Sequence, residues 1–68
     1  MRQIVILSAE EGGYIVECPS LPGCYSQGET LDEAIANIKE AIALYIELLE
    51  EEGRPVPEDK LDRVMMVI

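Results

Sequence analysis

The chain has no histidine, no tryptophan and no phenylalanine, and only three tyrosines. Without histidine a Ser-His or Cys-His nucleophile pair cannot be built, and Ser8, Ser20 and Ser26 have no evident base. Lysine and arginine together number five against 14 aspartates and glutamates, a net charge of -9. So few cations argue against unaided binding of DNA or RNA, which needs phosphate neutralisation. The acidity suits a basic partner, or simply keeps a small protein soluble. No apolar run is long enough to span a membrane. The short apolar stretch after Met1-Arg2 lacks the small-residue cleavage site of a signal peptide, so a cytoplasmic protein is expected. Cysteine is limited to Cys18 and Cys24. Cytosolic thiols stay reduced, and structural zinc wants four ligands. The pair is therefore read as buried, inert thiols, with a disulfide or a zinc shared across a dimer axis as the alternatives. A two-metal nuclease needs converging carboxylates, and the first strand, Arg2 to Leu7, offers none. No catalytic residue, cofactor or metal site is expected, and the chain does not read as an enzyme.

What is present is a dense set of backbone instructions. Gln3 to Ser8 is a β-branched run and reads as a strand. Ala9-Glu10-Glu11-Gly12-Gly13 supplies hairpin chemistry, and Tyr14 to Cys18 is the return strand. Pro19 stops it by removing a ladder donor. After the Leu21-Pro22-Gly23 turn, Cys24 to Gly28 forms a short third strand. Thr30 is a strong helix N-cap, and Glu33 three residues on completes a capping box. Leu31, Ala34, Ile35, Ile38, Ile42, Tyr45 and Leu49 follow helical spacing and form one apolar stripe. Gly53 is the expected C-cap glycine, and Pro55 prevents continuation. Glu50, Glu51 and Glu52 crowd the negative end of the helix dipole. They are either partner-facing charges or a solvated helix end. Arg54 to Leu61 reads as a loop, and Val64-Met65-Met66-Val67-Ile68 as a last strand.

The expected order is β-β-β-α-β, an α+β fold. A right-handed crossover through the helix predicts a single four-stranded mixed sheet, order 3-2-1-4, with one helix packed on one face. Residues 1–68 read as one domain, with no internal repeat, linker or C-terminal DNA-binding segment. At that length a domain is marginally stable alone and usually needs a staple or a partner. The first and last strands are apolar on both sides, and a single helix covers only one face. The uncovered face is expected to expose Val5, Leu7, Ile15, Met65 and Val67 or their alternates, and such a patch marks an interface. A homodimer or higher oligomer, or a heteromer with a partner, follows from it.

The segment Cys18-Pro19-Ser20-Leu21-Pro22-Gly23-Cys24, with the helix start Gly28-Glu29-Thr30-Leu31-Asp32-Glu33-Ala34, resembles the HicB antitoxin family. Tyr14-Ile15-Val16 before the turn fits that pattern, as does the Glu-rich helix end followed by Gly53. The resemblance covers nearly the whole chain. It implies a degenerate ribonuclease-H-like fold without nuclease activity. It also implies a partner, a small basic HicA-type toxin that cleaves mRNA and is neutralised by protein–protein association. Many members add a C-terminal DNA-binding segment, which this chain, ending at Ile68, is not expected to have. The turn and its flanks, Glu17, Ser20, Leu21, Pro22 and Tyr25, are the expected contact residues, with Glu47, Glu50 and Glu51 as steering charges. The alternative is a stand-alone oligomeric binding module without a toxin partner.

Overall fold

The computed structural model describes residues 2–59. It contains β1 (Val5–Ser8), β2 (Tyr14–Glu17), β3 (Tyr25–Gly28) and α1 (Leu31–Glu51). The strands form one sheet in the order β1-β2-β3, and both pairings are antiparallel. Among the described residues this corrects the expected four-stranded mixed sheet. Strands that follow one another through tight turns pair antiparallel, and a mixed sheet would need a parallel strand returning through a crossover. No such strand returns within residues 2–59. The segment 64–68 assigned to it, including Met65 and Val67, lies outside the described residues. The α+β character stands, with one helix on one face of the sheet among the described residues.

Local chemistry accounts for the elements. The hairpin between β1 and β2 closes with Gly12 N–H donating to the Ala9 carbonyl and Ala9 N–H to the Gly13 carbonyl, both at 3.1 Å. The turn between β2 and β3 folds back on itself. Cys18 N–H donates to the Cys24 carbonyl (2.9 Å), Leu21 N–H to Cys18 and Cys24 N–H to Leu21 (both 3.0 Å). Helix α1 starts at the Thr30 cap, whose Oγ1 accepts the Glu33 N–H at 3.1 Å, satisfying one orphan donor of the first turn. At the other end Gly53, at φ 68°, donates to the Glu50 carbonyl, and Arg54 N–H donates to Leu49. Those two bonds make a Schellman stop.

The core lies between α1 and the sheet. It is built from Val16, Cys18, Leu21, Cys24, Ala34 and Ile38, with Ile4, Tyr14, Ala41, Ile42, Tyr45 and Ile46 packed around it. The predicted helix stripe therefore faces inward along most of its length. The helix lies over β3 and β2 rather than over β1. A side chain at Gly28 would collide with the backbone of Glu33 and Ala34, so glycine there is what lets the first turn of α1 settle onto the strand. Two polar ties fix the helix in place: Asn37 Nδ2 donates to the Gln27 carbonyl, and Tyr45 Oη donates to the Pro22 carbonyl, each at 2.8 Å. The 54–59 segment returns to the stretch just before β1, where Gln3 N–H donates to Asp59 Oδ2 at 2.9 Å.

Candidate partner-binding site

Strand register decides which residues share a face. Val5 is opposite Glu17, Leu7 opposite Ile15, Ile15 opposite Gln27, and Glu17 opposite Tyr25. Paired residues point to the same side. Val5, Leu7, Ile15, Glu17, Tyr25 and Gln27 therefore share one face. Ile6, Val16 and Ser26 lie on the other, which carries the helix. The helix-free face is open: Val5 is 40%, Leu7 54%, Ile15 39% and Tyr25 69% exposed. Register thus joins two sets of residues that sequence reasoning kept apart, the contact residues Glu17 and Tyr25 and the oligomer residues Val5, Leu7 and Ile15.

The turn residues divide. Pro22 is exposed, and its carbonyl is occupied by Tyr45. Ser20 is half-buried; its Oγ accepts from Arg2 Nη1 at 3.0 Å and lies 3.5 Å from Cys18 Sγ. Leu21 is fully buried in the core, which corrects its expected surface role. Both of its backbone groups bond back to Cys18 and Cys24, and this folding-back swings the side chain under the sheet's covered face. Its part in any interface is to hold the turn's shape from within.

Glu47, Glu50 and Glu51 are exposed on α1. Glu40, Leu44, Glu47, Leu48 and Glu51 share one side of the helix by their spacing. Leu44 and Leu48 are both exposed there, and Leu48 had no assigned role in the sequence reading. A second feature was also missed. A groove of about 360 Å³ lies between the amino-terminal stretch and α1, lined by Arg2, Ile4, Ile35, Ile38, Lys39 and Ile42. Its signal was the placement of scarce cations: of the described residues only Arg2, Lys39 and Arg54 are cationic, and the groove takes two of them.

Cys18 and Cys24 are free thiols and both are buried. They stand opposite one another at the end of the β2–β3 ladder. Burial pushes the Cys24 thiol up, proximity to Cys18 adds to this, and Arg2 opposes it. A neutral thiol of that kind is a poor nucleophile. Among the described residues no group of three or more histidines, cysteines or carboxylates is arranged to hold a metal ion. No described helix is long and apolar enough to cross a membrane. What the arrangement offers is shape, apolar surface and negative charge.

Known proteins carry the same pattern. A family model described as the HicB_like antitoxin of bacterial toxin-antitoxin systems matches residues 3–66. The UPF0150 protein Ta0767 of Thermoplasma acidophilum is 44% identical over 61 residues, covering 90% of this chain and 88% of that protein. The UPF0150 protein ssr1765 of Synechocystis is 57% identical over 58 residues, covering 84% and 73%. Among solved structures, a chain of a HicA3 and HicB3 toxin-antitoxin complex superposes with a TM-score of 0.67 at 33% identity, covering 88% of this chain and 72% of that one.

Proposed function

The chain belongs to the HicB-like antitoxin family of bacterial toxin-antitoxin systems, and from that membership we propose that it binds and neutralises a small basic HicA-type ribonuclease toxin in the cytoplasm. It does so by association, with no chemistry of its own. The observation that supports this most is the likeness, across most of the chain, to a protein solved in a toxin-antitoxin complex. The physical character of the surface agrees with it: 14 carboxylates against five cations suit a basic partner.

In this reading Glu17, Pro22 and Tyr25 touch the toxin beside the turn, and Ser20 and Leu21 keep that turn in shape. Glu47, Glu50 and Glu51 speed encounter through their field. Co-expression with a HicA-type toxin tests the proposal. Restored growth and a complex that survives size exclusion are expected. Replacing Glu47, Glu50 and Glu51 by Gln should slow association while leaving dissociation nearly unchanged, and added salt should slow the wild type. Absence of both complex and rescue refutes the proposal; an association rate indifferent to salt removes the steering charges from it.

The exposed Val5, Leu7 and Ile15 favour a second reading, a self-associating binding module. Sedimentation of the chain alone distinguishes it, since a monomer at micromolar concentration sinks that reading.

A further inference from the structure

We infer that the whole helix-free face of the sheet is one docking surface for the basic toxin, and that Val5, Leu7 and Ile15 belong to it rather than to a contact between copies of this chain. The inference rests on the toxin reading above and adds where the partner sits. Three observations lead to it. Register places Val5, Leu7, Ile15, Glu17, Tyr25 and Gln27 on a single face. The four large side chains among them are all exposed, Tyr25 most of all at 69%. Tyr25 stands on the outer strand beside Glu17 and Gln27, next to the aliphatic patch of Val5, Leu7 and Ile15, and an exposed aromatic bordering aliphatic residues is a common make-up of an interface.

Charge chooses the occupant. Glu17 is the one ionised side chain of the six, and it sits between Val5 and Tyr25 in the register. Closing an apolar surface over a carboxylate is costly unless a cation meets it. A second copy brings no cation on this face among the described residues: Arg2 and Lys39 border the groove beside α1, and Arg54 follows the carboxyl end of α1. Two copies would also each carry a net charge of -9. A basic partner supplies the missing counter-charge directly. Its contact surface should present an apolar group for Leu7 and Ile15 and a lysine or arginine for Glu17. Toxin capture and any self-association through this face are then mutually exclusive.

The test measures binding of a catalytically inactivated HicA-type toxin by titration calorimetry, with sedimentation of each variant alone. Leu7→Asp, Tyr25→Ala and Glu17→Lys all change exposed side chains, and circular dichroism confirms that each folds. Each should weaken toxin binding by roughly tenfold or more, as expected at an interface centre. Leu44→Asp, on the exposed side of α1, should leave it within about twofold. Glu17→Lys separates the occupants, because a contact between copies would be unchanged or tightened by it. Toxin affinity unaltered in all three face variants overturns the inference. So does a homodimer that Leu7→Asp and Tyr25→Ala dissolve and Glu17→Lys spares while toxin binding persists, which would give the face to a second copy. If the wild-type chain forms no toxin complex, the toxin reading fails, and this inference falls with it.

Discussion

Adding one methyl group at Gly28 should pry the helix from the sheet. A Cβ at that position would stand 2.5 Å from Ala34 N and 2.9 Å from both Ala34 Cα and the Glu33 carbonyl carbon. Comfortable contact between such atoms needs about 3.5 Å or more, so the first turn of α1 must retreat by about 1 Å. All three atoms are backbone, so no rotamer change relieves the clash. Retreat also loosens Ala34 and Ile38, which are 0% and 1% exposed. Overpacking a core costs about 1–3 kcal/mol, and a rigid obstacle places this case near 3 kcal/mol. A domain of this size holds roughly 3–10 kcal/mol in total. At about 4–8 °C per kcal/mol, Gly28→Ala should lower Tm by about 12–24 °C, read from the helical circular dichroism signal. Gly53→Ala is the control. Its φ is 68° but no atom lies within 4 Å of the added carbon. The cost there is conformational alone, about 1 kcal/mol. A Gly28→Ala variant no less stable than Gly53→Ala would refute the close-approach reasoning.

Three further outcomes are expected. Thr30→Ala removes the acceptor of the Glu33 N–H and should cost about 1 kcal/mol, seen as a lower urea midpoint at unchanged m, with Thr30→Ser restoring most of it. Leu21→Ala should cost about 2–5 kcal/mol as a core cavity, and an unchanged urea midpoint would return Leu21 to the surface. The Cys24 thiol, raised by burial above its ordinary value of 9.0, favours the fold while protonated. The unfolded chain gives up that proton first as pH rises, so this contribution is complete below about pH 9 and declines above it. Tm should fall above that pH in the wild type and fall less in Cys24→Ala.

The ends of the helix were readable because caps are local chemistry. Thr30 and Gly53 each act within a few residues of their own position, and both sit where their residue types require. The strands were readable from the β-branched run and from the turn residues that bound them, and the inward face of α1 from spacing. Leu21 was not. Its sequence says that the chain turns, but not which side of the turn lies under the helix. That is settled by Tyr45 reaching the Pro22 carbonyl across 23 residues of sequence. The sideways position of α1 was equally hidden, although a glycine closing β3 was the available hint of a close backbone approach. Because the helix sits over β3 and β2, Ile6 remains 43% exposed even on the covered side. The mixed sheet failed as an expectation because crossover logic presumed a parallel return strand, and within residues 2–59 the sheet is an antiparallel meander. For the site, residue types were legible, but their sharing of one face needed the register.

The Asn37 side chain has a role beyond holding α1 to the sheet. Bonding alternates along an antiparallel pair, and Cys18 N–H meets the Cys24 carbonyl, so the backbone groups of Gln27 point away from β2. Outward carbonyls of that kind are templates on which a foreign strand can grow. Asn37 occupies this one from above. Backbone pairing is an indiscriminate adhesive, available to almost any extended chain, and here one amide obstructs it at Gln27. At that position recognition is left to side chains, which can refuse the wrong guest.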